Sequence, residues 1–408
     1  MEPLLFLAHR IPYPPNKGDK IRSFHLLRHL VDHFRVHLGT YIDDADDWRH
    51  VEALCDLCRG GSTRFVQLHP LVGRLRGLPA LGRGEALTVP YYRDRALGRW
   101  IGATLEREPI RKVVIFSSAP AQFLIGPEHA HLRRLCDFVD VDSEKWRQYG
   151  AHRPGPMGWI YRREARRLLT YERRVAAACE ASFFVSEAEA ELFRRLAPEV
   201  AGRVDYWENG VDFAHHSPEH GFADPYPPGG AVVVFTGAMD YWANGDAVAW
   251  FAREVWPLVR DHLGEVRFAI VGSRPTPEVK ALASLPGVLV TGAVADVRPY
   301  VAHARVVVAP LRIAQGVQNK VLEGMAMGKP VVTSAKGMAG IRSPGELGRW
   351  ATDDPVHMAG LISRLLTPEG AAEGEVLGRL GREHVQRHYA WERNLQRFAA
   401  ALDPTAAT

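Results

Sequence analysis

The stretch PLRIAQGVQNKVLEGMAMGKPVVTS, residues 310–334, gathers the residue types that a diphosphate needs. An apolar run ends at Pro310 and Leu311, and a loop containing Gly316 follows. The spacing then predicts a helix from about Gln318 to Met327, with Gly328 as its C-cap and Pro330 blocking continuation. Glycine lets the backbone approach an anion closely. The amides of Gly316, Val317, Gln318 and Asn319 have no partner inside such a helix, and its dipole adds about half a positive charge there. Lys320 supplies a full one. Glu323, one turn further in, can accept two hydrogen bonds from vicinal hydroxyls of the kind a ribose offers. The ordinary alternative is a plain helix–strand connection with Glu323 as a surface acid. GMAMGKP imitates a P-loop, but it has three residues between its glycines instead of four and no Ser or Thr after the lysine. No GxGxxG follows a strand, which disfavours nicotinamide and flavin chemistry.

A second candidate lies at the start, in MEPLLFLAHRIPYPPNKGDKIRS. Leu4 to Ala8 read as a buried strand, and Ile21, Phe24, Leu27, Leu30 and Phe34 recur at helical spacing. Gly18 and Asp19 therefore fall at a strand-to-helix turn, at the edge of an open α/β sheet where ligands bind. Gly18 would let this loop close over phosphates, with Lys17 and Lys20 adding charge. His9 follows the strand and faces the same edge by position.

Asp140-Val141-Asp142 is a DxD at another strand end. Such acids hold a metal, cap a helix or face a cleft. This one is remote in sequence from the predicted diphosphate turn, so no metal site is expected. The lone CDLC at Cys55–Cys58 lacks the second pair that a zinc site needs.

YRREARRLLTYERR, 161–174, is a basic helix carrying Arg162, Arg163, Arg166, Arg167, Arg173 and Arg174. It reads as a solvated face, or as a surface for anionic lipid headgroups or a lipid-diphosphate acceptor. LVGRLRGLPALGRG at 71–84 mixes Leu with Arg and is expected to flank it. No recognition helix or stacking aromatics accompany the arginines, so nucleic acid is not an expected partner.

Elements alternate around these residues. LLFLA, RVHLGTY (35–41), KVVIFSS (112–118), CDFVDV (136–141) and SFFVS (182–186) are strand candidates with helical patterns between them. After a Pro-, Gly-, His- and Asp-rich stretch at 204–230 the alternation resumes with AVVVFTG (231–237), VRFAIVG (266–272), GVLVTG (287–292), RVVVAPL (305–311) and KPVVTS (329–334). The expected fold is α/β, two Rossmann-like doubly wound parallel sheets facing a cleft. The expected boundaries are 1–212, a linker 213–230, a second domain 231–385, and a closing helix 386–408 that packs back on the first domain. A chain of 408 residues suits two or three domains, and its formal charge of +4 is too mild to argue for nucleic acid. Four cysteines, no signal-like start and no apolar run of spanning length point to the cytoplasm, with contact at the inner membrane face the expected extension.

EGMAMGKPVV resembles the carboxyl-proximal motif of the retaining glycosyltransferases of family 4, which have the GT-B fold. The family pattern is Glu, seven residues, Glu. The second acid corresponds to Glu323, and the first position holds Gln315. The resemblance implies ribose binding by Glu323 and contact of Gln315 with hydroxyls of the donor sugar. Gln315 recognises hydroxyls without charge. ENGVD (208–212) is similar to the end of that family's first domain, and FTGAMDYWANGDAV (235–248) resembles the start of its donor domain. Gly237 there marks a close approach, and Asn244 is a candidate N-cap. IVGS (270–273) matches a glycine turn with Arg274 beside it, and PYPPNKGDKIRSFHLLRHL resembles the acceptor-domain glycine loop. Together with DFVDVDSEKW, these stretches look closest to the sugar transferases found with bacterial exosortase and PEP-CTERM exopolysaccharide systems.

The resemblance implies transfer of a sugar from a nucleotide diphosphate donor, UDP- or GDP-linked, to a saccharide or lipid-linked acceptor, with retention and without a cofactor. Lys320, Arg274 and Asp142 are the expected catalytic residues. Gly18, Gly237, Gln315, Gly316, Val317, Gln318, Asn319 and Glu323 are expected on the donor side, and His9, Lys17 and Asp19 on the acceptor side. A nucleotide-sugar epimerase or hydrolase of the same fold, or a non-catalytic sugar-nucleotide scaffold, is the alternative.

Overall fold

The computed structural model describes residues 1–15, 18–263, 265–314 and 316–403. The chain divides into two units, one of Met1–Glu208 with the residues from Asn394 onward, the other of Asn209–Arg393.

The first unit is a seven-stranded sheet of β1 (Pro3–Ala8), β2 (Arg35–Ile42), β3 (Thr63–Gln67), β4 (Lys112–Phe116), β5 (Arg133–Val139), β6 (Ala181–Phe184) and β7 (Val204–Tyr206). Their order is β3-β2-β1-β4-β5-β6-β7, every pair parallel. Leu4 to Ala8 are wholly buried, as a central strand covered on both faces requires. The order reverses between β1 and β4, the switch point where doubly wound sheets open a crevice. β3 and β7 are edge strands that the apolar-run criterion does not find. β3 is only partly buried, and Val204–Tyr206 opens the Pro-, Gly-, His- and Asp-rich stretch.

The helix Gly18–His33 departs from its expected apolar stripe. Its buried residues are Lys20, Arg22, Ser23, Leu26, Leu27 and Leu30, while Ile21 and Phe24 are half-exposed. Acids beneath the helix explain the difference. Lys20 Nζ donates to Asp47 at 2.6 Å, so it is a buried structural cation and not the free phosphate ligand expected. Arg22 Nε and Nη2 donate to the two oxygens of Asp137 at 2.9 and 3.2 Å. Its Nη1 reaches the Trp207 carbonyl at 2.8 Å, and its guanidinium lies 3.4 Å from a Trp207 ring centroid. One side chain thus ties the helix to β5 and to the segment after β7.

The basic row at 161–174 is also divided. Arg163 is buried and donates to the carbonyls of Ala80, Leu81 and Glu85 at 2.5, 3.1 and 3.2 Å, satisfying the last turn of the helix Pro70–Arg83. Arg162 donates to the Gly150 carbonyl at 3.0 Å, and Arg173 pairs with Glu199. Arg166, Arg167 and Arg174 remain exposed. From Asn394 on, the closing helix Trp391–Leu402 is part of this unit. Phe398 is fully buried with its ring 4.9 Å from that of Phe183, and Arg133 donates to the Ala401 carbonyl at 2.7 Å.

The second unit is a five-stranded parallel sheet of β8 (Ala231–Thr236), β9 (Val266–Val271), β10 (Val288–Gly292), β11 (Val306–Ala309) and β12 (Val331–Thr333), ordered β10-β9-β8-β11-β12. Residues from Asn209 belong to it. Val211 and Tyr226 are buried in its core, and Tyr226 Oη donates to the Tyr300 carbonyl at 2.8 Å. Much of the Pro- and Gly-rich stretch is therefore packed chain. Among the described residues no helix is long and apolar enough to cross a membrane.

Candidate active site

In the second unit the order reverses between β8 and β11, so the crevice opens at the ends of these two strands. The turn after β8 carries Gly237, and the loop after β11 carries Gly316. Gly272, after β9, would place a Cβ 1.8 Å from the Gly237 carbonyl oxygen, so only glycine lets the two turns meet. On the other side, Thr333 Oγ1 donates to the Ala309 carbonyl at 2.7 Å and Ser334 Oγ to the Leu311 carbonyl at 2.6 Å, fixing where the loop leaves β11.

That loop leads into the helix Asn319–Ala326, with Gln318 as its extended N-cap. Gly316 has φ 63°, the left-handed conformation glycine adopts at low cost. Gln318 Nε2 donates to the Gly316 carbonyl at 3.3 Å. Among the described residues Val321 and Leu322 are the first to donate into the helix, both to the Gln318 carbonyl. The amides of Val317 to Lys320 thus lie at its positive end. Gly328, at φ 66°, follows the helix as expected.

Lys320 crosses the switch point. Its Nζ donates to Asn244 Oδ1 at 3.1 Å and lies 5.3 Å from the Phe235 ring centroid. Asn244 Nδ2 in turn donates to the Ala238 carbonyl at 2.9 Å. Asn244 is therefore not the expected N-cap. It is buried inside the helix Trp242–Trp250, where it links the turn after β8 to the lysine after β11. A Cβ at position 237 would fall 2.7 Å from Asn244 Nδ2, so Gly237 leaves room for this link. Burial pushes the Lys320 ammonium down to about 8, and Glu323 opposes the shift. Glu323 is half-buried, three residues from Lys320 on one helix face; its carbonyl accepts from Met327 N at 3.0 Å, and its carboxylate accepts no hydrogen bond among the described residues. Arg274 follows the Gly272 turn at φ 53° and pairs with Asp240 at 3.4 Å. Gln315 and Lys17 lie outside the described residues.

The first unit places its candidates at its own switch point. Asp19 accepts from Arg10 Nη1 at 2.5 Å and lies 3.6 Å from His9 Nε2, and Arg10 Nε reaches Asp43 at 2.9 Å. Burial would raise the Asp19 carboxyl, but His9 and the Arg10 charge outweigh it and hold it well below the usual carboxylate range. Asp19 is therefore a fixed anion. The His9 ring is nearly parallel to Phe116 at 5.9 Å, with Nδ1 buried and unpartnered among the described residues. Gly18 is the exposed first residue of its helix.

Asp142 opens the helix Asp142–His152, and Lys145 Nζ bridges it to Asp140 at 3.1 and 2.7 Å. The DxD thus encloses its own cation. Burial would lower the Lys145 ammonium, but the two acids raise it above its ordinary value. Behind them Glu172 accepts from Ser143 N and Oγ at 3.1 and 2.5 Å, and burial pushes its carboxyl up to about 8. Glu172 and Asn244 are the residues that sequence reasoning missed. One sits in a row of arginines and the other in a plausible cap position, and neither carries a local signal of burial. Arg10, next to His9, could have been found from charge alone. Among the described residues no group of three or more His, Cys, Asp or Glu is placed to hold a metal ion.

Two doubly wound units with these strand orders are the GT-B architecture, and solved structures agree. HepE from Anabaena, solved in complex with UDP, aligns with a TM-score of 0.62 at 14% identity over 99% of this chain and 100% of that one. A glycosyltransferase from Rickettsia africae ESF-5 gives 0.64 at 11% identity over 99% and 100%. WaaG, a glycosyltransferase involved in lipopolysaccharide biosynthesis, gives 0.63 at 15% identity over 98% and 99%. Residues 230–368, within the second unit, match the family model of the glycosyl transferases group 1. Among curated proteins no sequence match is found.

Proposed function

We propose that the chain transfers a sugar from a UDP-sugar to a hydroxyl of a saccharide or lipid-linked saccharide, with retention, in exopolysaccharide synthesis, as the family 4 resemblance of EGMAMGKPVV implies. The observation that carries the reading is Lys320, held across the β8/β11 switch point beside a helix N-terminus. Uridine is preferred over guanosine because HepE is described with UDP and with UDP-glucose. The acceptor oxygen attacks the anomeric carbon on the face the diphosphate leaves. The carbon–oxygen bond to the diphosphate breaks with its electron pair, and the acceptor proton passes to a diphosphate oxygen. The Val317–Asn319 amides and Lys320 stabilise the departing charge, with Arg274 joining from the β9 turn. Glu323 takes the ribose hydroxyls. Gln315 reads the donor sugar, and His9 serves the acceptor side.

The test is incubation of labelled UDP-glucose with the protein and membrane extract. Label moving into saccharide or lipid-linked product supports transfer. Donor consumed without acceptor points to an epimerase or hydrolase, and UDP binding without turnover to a scaffold. Glu323→Ala is expected to weaken UDP binding by about 1.5–3 kcal/mol, the scale of a hydrogen bond to a charged group. Unchanged calorimetric affinity in a folded variant would remove Glu323 from the ribose role.

Binding should also depend on pH. With Lys320 at about 8 in the free protein and the diphosphate favouring its charged form, binding takes up a proton where the free lysine is neutral. The UDP dissociation constant is expected to rise about tenfold from pH 7.5 to 9. Lys320→Gln should flatten this rise, and a rise that persists in the variant assigns it elsewhere.

A further inference from the structure

We propose that the helix Pro70–Arg83 is a docking face for an anionic lipid bilayer. Its amphipathicity is inverted. Gly73, Gly77 and Ala80 face the protein, and a Cβ at Gly73 would fall 2.5 Å from the Tyr91 ring, so small residues let the helix lie close on the Thr88–Tyr91 turn. The large residues point out, with Leu71, Val72, Leu75 and Leu78 being 73, 43, 64 and 57% exposed. At about 100° per residue, Leu71, Leu75 and Leu78 share an arc of about 60°. Arg74 borders one side of it, exposed Arg83 lies further round on the other, and the segment 69–84 contains no acid, while Arg76 is held by the Arg93 carbonyl at 2.7 Å. The Arg163 cap over its last carbonyls holds the helix in place. Trp159, one turn before Arg163 on the neighbouring helix, is 54% exposed.

Leucines flanked by arginines match a bilayer with anionic headgroups, since the stems lie along the acyl boundary while the guanidinium groups reach phosphate. A second copy seated on the same stripe would bring like-charged arginine rows together. This inference does not rest on the sugar-transfer reading.

The experiment is co-sedimentation of the full chain with phosphatidylcholine vesicles, with and without about one third phosphatidylglycerol. The expected result is preference for the anionic vesicles by about tenfold or more. Leu71→Gln/Leu75→Gln/Leu78→Gln should lose more than tenfold of that binding, and Arg74→Glu/Arg83→Glu should lose the anionic preference, with circular dichroism melts confirming folding. The proposal is overturned if the parent fails to sediment with anionic vesicles or if the leucine variant binds like the parent. It also fails if light scattering shows a dimer that the leucine variant abolishes. Should the leucine variant not fold, the arginine variant decides, and unchanged anionic preference refutes the docking face.

Discussion

Lys320→Met is expected to lower kcat by about 100- to 1,000-fold, or about 2.7–4 kcal/mol, the scale for removing one preorganised charge-stabilising donor. The ammonium is in place before substrate arrives, donating to Asn244 Oδ1 and lying over Phe235. It therefore spends little reorganisation energy when negative charge grows on the leaving diphosphate. Methionine keeps the stem and much of the packing, and Asn244 keeps its bond to the Ala238 carbonyl. Steady-state kinetics with UDP-glucose separate two roles. A loss in kcat means stabilisation specific to the transition state, and a rise in KM alone means that Lys320 only helps to hold the donor. A kcat within threefold of the parent, in a protein that melts normally, would remove Lys320 from the chemistry.

Arg22→Leu is expected to destabilise the first unit by about 3–5 kcal/mol, because it leaves a buried carboxylate without its cation. Asp137 is wholly buried, and burial already pushes its carboxyl up against the pull of Arg22. Such a loss is a large part of the about 5–15 kcal/mol that holds a typical protein folded. Asp137→Leu should cost a similar amount, and the double variant less than the sum, since it leaves neither charge stranded. Urea denaturation followed by tryptophan fluorescence measures all three. A single-variant loss under about 1 kcal/mol, or strict additivity, would show that the pair does not act as a unit.

The strands buried on both faces were legible because their residues form unbroken apolar runs, as in LLFLA and AVVVF. The turn from β11 into the helix Asn319–Ala326 was legible for another reason. Gly316, Gly328 and Pro330 act through local backbone geometry, and their spacing survives without tertiary context. What escaped depends on partners distant in sequence. β7 is a strand only because β6 lies beside it. Lys20 looks like a loop cation until Asp47 is found next to it, and Asn244 looks like a cap until Lys320 arrives from the other side of the sheet. The row of arginines misled because Arg163 turns inward to another helix's carbonyls, while the outward leucines of that helix invert the usual rule of burial.

The closing helix gives the chain an order of assembly. The first unit comprises residues 1–208 and needs Asn394 onward to complete it. On the ribosome it emerges first and must wait, with Phe183 uncovered by Phe398, until the whole second unit has been made. The second unit can finish once Arg393 has been made, whereas the first finishes only after Phe398 and its neighbours follow. A stop codon just before position 394 would thus leave the second unit intact and injure the one made earliest.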